Sequence, residues 1–105
     1  MPCIVILNSF CFSQNKIDSL LKFIKTDKED TNKINHLNDL GQELSRGNVD
    51  TSVIISLKAL FISEKIQWQN GMANSLGNLG VYYYLKSDYH KALEYYLHLK
   101  PVFHT

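Results

Sequence analysis

Residues 73–100 carry the clearest structural signal in this chain, and they are ANSLGNLGVYYYLKSDYHKALEYYLHLK. In the first half, apolar and small residues recur at the spacing of an α-helix, at Leu76, Leu79, Gly80 and Tyr83. Ser87-Asp88 interrupts this pattern and supplies a helix cap. A second helix is predicted from Tyr89 to about Lys100, because Pro101 lacks the amide proton that a continuing helix needs. The stretch therefore predicts a helical hairpin.

A related pattern occurs 39 residues earlier in the chain. His36–Gly41 (HLNDLG) aligns with Ser75–Gly80 (SLGNLG), so that both leucines and the final glycine coincide. Self-similarity at a fixed period is typical of repeat proteins, and here the unit is a pair of helices. We expect the glycine to let the two helices of each pair approach closely, with leucine and tyrosine filling the surrounding space.

The first hairpin of this repeat is predicted over residues 30–70. Asp30 is placed to cap a helix from Thr31 to about Arg46, and Gly47-Asn48 is a sequence that commonly ends helices. Asp50 then caps a third helix that runs to about Trp68. Asn70-Gly71 is predicted as the turn before the helix from Met72 to Lys86, which opens the second hairpin over residues 71–100.

A shorter helix is predicted ahead of both hairpins. Residues 15–29 place apolar side chains on one face of an amphipathic helix, at Ile17, Leu20, Leu21 and Ile24. Residues 101–105 are left as a tail. No segment of useful length has the alternation expected of a β-strand. The sequence therefore predicts an all-α protein of about five antiparallel helices.

The hairpin of residues 71–100 resembles a tetratricopeptide repeat. Eight residues stand where that family has its signature residues: Leu76, Leu79, Gly80, Tyr83, Asp88, Tyr89, Ala92 and Tyr96. Residues 30–70 resemble a more divergent repeat, in which Ser52 and Ser56 replace the usual alanine and aromatic residue. The spacing of 39 residues also exceeds the standard repeat of about 34. The resemblance implies an α-solenoid fragment of two hairpins with a leading helix.

This resemblance implies a module that binds a protein or peptide and has no catalytic activity of its own. Residues 30–96 are similar to the extracytoplasmic sensory regions of bacterial signal-transduction proteins, where such repeats precede a membrane helix and a histidine kinase, nucleotide cyclase or DNA-binding output. Two alternatives stay open. One is a stand-alone intracellular regulator that binds a peptide, and the other is a structural fragment that self-associates through an uncapped last helix.

The repeat geometry also implies which residues meet a partner, because the first helix of each hairpin lines a concave surface. The groove-facing candidates are Asn38, Gln42, Asn74, Asn78, Val81 and Tyr84. Side-chain amides both donate and accept hydrogen bonds, which suits an extended peptide backbone, although solvated surface amides are the simpler alternative. An array that ends without a polar cap exposes apolar surface, so Leu93, Leu97 and Leu99 are candidates for self-association.

The first 14 residues differ in composition from the rest of the chain. They are largely apolar, carry no charged side chain and resemble part of an export signal, although the first basic residue, Lys16, follows the apolar run instead of preceding it. This predicts a partial signal peptide and a periplasmic or exported location. The alternative is an N-terminal extension of a cytoplasmic protein. No stretch approaches the roughly 20 apolar residues of a transmembrane helix.

Charge and residue spacing argue against several other classes of function. Eleven Lys and Arg against ten Asp and Glu give a net charge of +1, which provides no basic surface for nucleic acid. The four histidines lack the spacing with a carboxylate that is typical of a helical zinc site, and no glycine-rich phosphate loop or nucleophile motif is present. We therefore nominate no catalytic residue, no metal site and no cofactor.

Overall fold

The computed structural model describes the backbone of residues 15–26 and 28–104, with side chains described as far as Leu99. This part of the chain contains five helices and no strand: α1 (residues 15–26), α2 (Thr31–Leu44), α3 (Val49–Lys65), α4 (Gln69–Leu85) and α5 (Tyr89–His104). The predicted all-α class with five helices is confirmed. Residues 1–14, on which the export prediction rests, lie outside the described residues.

The start of α2 follows the prediction, whereas the start of α3 does not. Asp30 caps α2, because its carboxylate accepts the backbone amides of Asn32 at 3.0 Å and Lys33 at 3.2 Å. The predicted cap of α3 at Asp50 is wrong, since Asn48 accepts the Thr51 amide at 3.2 Å. Asp50 lies in the first turn of α3, where its negative charge interacts favourably with the helix dipole.

The turns after α3 and α4 share one backbone geometry. Gln67 and Ser87 both adopt positive φ, 57° and 63°. The next amide, of Trp68 or Asp88, donates to the carbonyl five residues earlier, at 2.9 Å in each case. This is the Schellman arrangement that ends many helices. The turn predicted at Asn70-Gly71 is therefore wrong, because the chain reverses at Gln67 and α4 already begins at Gln69.

Gly71 has a packing role inside α4. A Cβ at this position would lie 2.5 Å from both the Ser63 hydroxyl oxygen and the Trp68 ring, and 3.1 Å from Ile34. The glycine therefore lets the first turn of α4 rest directly on α3 and the α3–α4 turn. The Asn-Gly pair was a turn signal in the sequence, but the missing Cβ is needed here for close approach.

The last helix is longer than the sequence predicts. α5 continues through Pro101 to His104, so the predicted helix end at this proline is wrong. Proline within a helix removes a single backbone hydrogen bond, and the helix continues on its remaining ones.

The helices pack in chain order, with one additional contact. α2 packs on α3, α3 on α4, and α4 on α5, while α2 also lies beside α4. α1 is joined to this group by Ile24, which packs against the α2–α3 core, and by an ion pair at 2.9 Å between Lys16 and Glu43. The contact between α2 and α4 brings the first helices of the two hairpins together, and it creates the site described below.

Two apolar clusters hold the helices together. The first joins α2 and α3 through Ile34, Leu37, Ala59 and Ile62. The second joins α3 and α4 through Val53, Leu79 and Tyr82, with Tyr95 of α5 packed against it. Full burial of one large aliphatic side chain contributes about 1.5–3 kcal/mol, so these clusters dominate the stability of the array.

The repeated glycines receive different neighbours in the two hairpins. A Cβ on Gly80 would lie 2.6 Å from the Tyr96 ring, whereas one on Gly41 would lie 3.1 Å from the Tyr82 hydroxyl and 3.2 Å from the Ser56 hydroxyl. Ser56 stands 40 residues before Tyr96. In the first hairpin, Ser56 of α3 therefore occupies the place that Tyr96 of α5 has in the second. The aromatic residue beside Gly41 is Tyr82, which comes from α4.

Candidate functional site

A polar groove runs between α2 and α4, with a volume of about 340 Å³. Six side chains line it: Asn35, Asn38, Asp39, Gln42, Asn74 and Asn78. Five of these are amides and one is a carboxylate. We call this site the amide groove.

The lining follows from helical spacing on two neighbouring helices. On α2 the groove residues stand at i, i+3, i+4 and i+7, counting from Asn35, so they form one stripe. On α4, Asn74 and Asn78 stand at i and i+4. The buried residues of α2, such as Ile34 and Leu37, face the α3 core instead. Each helix therefore contributes one polar stripe to the amide groove.

Two hydrogen bonds join α2 to α4 across this site. Asn38 Nδ2 donates to Ser75 Oγ at 3.2 Å, and the same hydroxyl contacts Asn38 Oδ1 at 3.4 Å. One helical turn further on, Gln42 Nε2 donates to Asn78 Oδ1 at 3.2 Å. Asn38 is 5% exposed and Ser75 is completely buried, so the first link lies beneath the surface. Together the two links fix the separation of the helices.

Several polar atoms of the amide groove stay unpaired among the described residues. The side chains of Asn35 and Asn74 are exposed and form no hydrogen bond with the described residues, whereas their backbones are part of α2 and α4. Asn78 uses its oxygen toward Gln42 and keeps its NH₂ donors. An extended peptide presents N–H and C=O groups in alternation, and amides can pair with both. The groove is therefore chemically suited to a peptide backbone.

The amide groove carries a single ionisable side chain, Asp39, which is exposed. α4, with the sequence QNGMANSLGNLGVYYYL, contributes no Asp, Glu, Lys or Arg. The nearest other acid on α2, Glu43, is paired with Lys16 at 2.9 Å. Asp39 is therefore the one charged side chain among the residues that line the groove.

The chain matches no protein-family model, no curated protein and no solved structure. Function is therefore inferred from the residues of the molecule itself.

Four of the six groove candidates predicted from the sequence come together at this site, namely Asn38, Gln42, Asn74 and Asn78. Val81 and Tyr84 do not line it. Val81 is 45% exposed further along α4, and Tyr84 packs on Tyr89 at the start of α5, with ring centroids 5.3 Å apart.

Sequence reasoning missed two members of the amide groove, Asn35 and Asp39. A signal for both was present, because they share the i, i+3, i+4, i+7 stripe with Asn38 and Gln42. Polar stripes on amphipathic helices usually face solvent, so this signal gains meaning only once α4 is placed beside α2.

A second, more apolar cleft lies between α3 and α5, with α4 beneath it. Its volume is about 360 Å³, and its lining residues are Leu60, Glu64, Met72, Leu76, Tyr95 and His98. Burial raises the pKa of the Tyr95 phenol above its ordinary value, with a further rise from the neighbouring Tyr83. Tyr95 also stacks on Tyr83 at a centroid distance of 5.5 Å. The two aromatic rings therefore form part of the packing between α4 and α5.

The self-association candidates differ in exposure. Leu93 and Leu97 are 55% and 58% exposed, one helical turn apart on α5. Leu99 is half-buried, and one of its methyl carbons lies 4.0 Å from where a Cβ on Gly77 would stand. Leu93 and Leu97 thus share an outward surface, while Leu99 packs toward α4.

The described residues offer neither a metal site nor a membrane-spanning helix. These residues contain no group of three or more His, Cys, Asp or Glu placed to hold a metal ion. Among the same residues, no helix combines the length and apolar character that crossing a membrane requires.

Proposed function

We propose that this chain binds an extended peptide in the amide groove between α2 and α4. The observation that supports this most directly is the set of five amides along one groove, of which Asn35 and Asn74 have no hydrogen-bond partner among the described residues. The two links from α2 to α4 hold the groove open before a ligand arrives. A pre-formed site loses less conformational entropy on binding, which favours affinity.

The proposed architecture is a short tetratricopeptide-type array. Its support is the 39-residue internal repeat, the pairing of α2 with α3 and of α4 with α5, and the lateral contact of α2 with α4. In such arrays the first helices of successive hairpins face the ligand. The position of the amide groove agrees with that arrangement.

Selection from a random linear peptide library tests the binding function. We expect the wild-type protein to enrich peptides and the Asn35→Ala/Asn74→Ala double variant to lose about tenfold in affinity for them, since each lost hydrogen bond costs roughly 0.5–1.5 kcal/mol. Both side chains are exposed, so the fold is retained. The matched control is Lys58→Ala on the exposed surface of α3. Failure to enrich any peptide, or equal losses in both variants, would contradict the proposal.

The cellular role proposed for this module is the exported sensory region of a bacterial signal-transduction protein. Its support is the resemblance of residues 30–96 to such regions and the apolar, uncharged composition of residues 1–14. Expression in a bacterial host, fractionation and N-terminal sequencing test this role. Cleavage near Gln14 with periplasmic recovery supports it, and an uncleaved cytoplasmic product contradicts it.

A second candidate function is self-association through α5, and one comparison within the chain favours it. Val53 of α3 and Leu93 of α5 stand at the same position within their helices, four residues after the starts at Val49 and Tyr89. Val53 is 6% exposed because Leu79 and Tyr82 of α4 cover it, whereas Leu93 is 55% exposed. The proposed occupant of this face is the α5 face of a second copy, which presents the same leucines in a two-fold pairing.

Sedimentation over a range of protein concentrations tests the second candidate. We expect a dimer that the Leu93→Lys/Leu97→Lys variant converts to a monomer, because two buried cations oppose the contact. Ile54→Lys on α3 is the control, since Ile54 is equally apolar and 67% exposed but lies outside the proposed face. A wild-type monomer at high concentration would contradict self-association without affecting the peptide proposal.

A further inference from the structure

The position of Asp39 raises the question of which peptides the amide groove prefers. Its neighbours along the stripe, Asn35, Asn38 and Gln42, are neutral amides, and the two exposed ones, Asn35 and Gln42, pair with any peptide backbone. They therefore provide affinity without distinguishing one side chain from another. A carboxylate is an acceptor only, and it is the one group in the groove that distinguishes charge.

Asp39 forms no ion pair among the described residues, and α4 on the opposite wall carries no charged side chain. Lys16 forms an ion pair with Glu43 at 2.9 Å, and Lys65 forms one with Glu29 at 2.8 Å. The negative charge of Asp39 is therefore available to a ligand.

We propose that the amide groove selects extended peptides that carry a cationic side chain, Lys or Arg, at the residue that meets Asp39. This inference rests on the proposed peptide-binding function and specifies its ligand class. A Lys ammonium brings three donors, which the carboxylate and the adjacent amide oxygens of Asn35 and Gln42 can accept. A Glu at the same ligand position meets a like charge and offers no donor, so it binds more weakly.

The expected size of the preference follows from the exposure of Asp39. An ion pair in contact with water contributes little, and the measured range corresponds to an affinity gain of about two- to fivefold. Repulsion between Asp39 and an acidic side chain lowers the affinity of that peptide by a similar factor. The preference also decreases at high ionic strength, because salt screens exposed charges.

Three matched peptides test this inference. Each is a capped peptide of alternating Ser and Ala with one central residue, which is Lys, Gln or Glu. Titration of ¹⁵N-labelled protein, followed through the side-chain amide signals of the groove, gives the three dissociation constants. We expect the Lys peptide to bind about two- to fivefold more tightly than the Gln peptide, and the Glu peptide to bind most weakly.

Two variants separate the role of Asp39 from a general effect of net charge. Asp39→Asn should make the three peptides equal. Glu64→Gln removes the same charge from α3, outside the groove and from a side chain without an ion pair among the described residues, and should leave the preference unchanged. Equal binding of all three peptides to the wild-type protein, or equal effects of the two variants, would overturn the inference while leaving peptide binding intact. Absence of any shift in the groove amides with all three peptides would overturn the binding function itself.

Discussion

Asn38 on α2 and Ser75 on α4 form a buried polar link beneath the amide groove, with contacts of 3.2 and 3.4 Å between the amide and the hydroxyl. Both residues are within 5% of complete burial. Neither can turn to water if its partner is removed, so the pair couples the stability of the fold to the geometry of the groove.

Replacing one member of this pair should therefore destabilise the protein. Asn38→Ala leaves the Ser75 hydroxyl buried without this partner, and we expect a loss of about 1–3 kcal/mol in the free energy of unfolding. Ser75→Ala likewise leaves the Asn38 amide buried without its hydrogen-bond partner. The double variant should lose less than the sum of the two single variants.

Urea unfolding followed by circular dichroism measures these effects. Gln42→Ala is the control, because it breaks a link of similar length, 3.2 Å to Asn78, at the solvent-exposed surface. We expect that change to cost less than about 0.5 kcal/mol. Equal losses for Asn38→Ala and Gln42→Ala would show that burial of the Asn38–Ser75 hydrogen bond does not increase its contribution to the free energy of unfolding.

Two glycines of α4 should respond in opposite directions to alanine. Gly71→Ala places a Cβ 2.5 Å from Ser63 and Trp68 in the packed start of the helix, and we expect a net loss of about 1–3 kcal/mol from overpacking. Gly77→Ala has its nearest neighbour, Leu99, at 4.0 Å, so alanine should stabilise the helix by about 0.5–1 kcal/mol. Thermal unfolding measures both, and two changes of the same sign would contradict the packing described for Gly71.

Glycine in place of Ser87, in the Schellman turn after α4, should make the protein more stable. Ser87 has φ 63°, a conformation in which a side chain costs roughly 1 kcal/mol, and we expect Ser87→Gly to raise the free energy of unfolding by about that amount. The control is Ser45→Gly at the end of α2, where φ is −64° and glycine should destabilise. Denaturant midpoints of the two variants should therefore move in opposite directions. A lower midpoint for Ser87→Gly would contradict the left-handed turn.

The ion pair between Glu29 and Lys65 predicts a dependence of stability on pH. The hydrogen bond from Lys65, at 2.8 Å, together with its charge, holds the pKa of the Glu29 carboxyl below its ordinary value of 4.5. A lowered folded-state pKa stabilises the fold above the unfolded-state pKa, and this contribution is lost as pH falls through the folded-state pKa.

Glu29→Gln should therefore be less stable than the wild-type protein at neutral pH, and the difference should disappear in acid below the folded-state pKa. Urea midpoints measured across this pH range provide the test. Glu64→Gln is the control, since Glu64 makes no ion pair among the described residues. A wild-type advantage that persists unchanged in acid would contradict the role of the Glu29 carboxylate.

The sequence predicted the helices better than their ends. Apolar spacing located all five helices, and Asp30 was identified as a cap because one side chain and the amides two and three residues later determine that contact. The misplaced boundaries have two causes. Asn48 and Asp50 are both residue types that cap helices, so local preference alone does not choose between them. The packing of Gly71 depends on Ser63 of α3 and Ile34 of α2, which local residue preferences do not specify.

Some residues of the candidate site could also be predicted from the sequence, and others could not. The repeat pattern was sufficient to nominate Asn38, Gln42 and Asn74, because the first helix of each hairpin was expected to line a concave surface. Asn35 and Asp39 became visible only once the lateral contact of α2 with α4 was known. Tyr84 was nominated from its position on the first helix of a hairpin, but its contact with Tyr89 places it beside α5.

The most direct test of peptide binding is a map of which side-chain amides respond when a library-selected peptide is added to ¹⁵N-labelled protein. We expect shifts for the amides of Asn35, Asn74 and Asn78, with the signals of Asn48 and Gln67 outside the amide groove unchanged. Shifts confined to the surface around Leu93 would contradict it and would place the partner on α5.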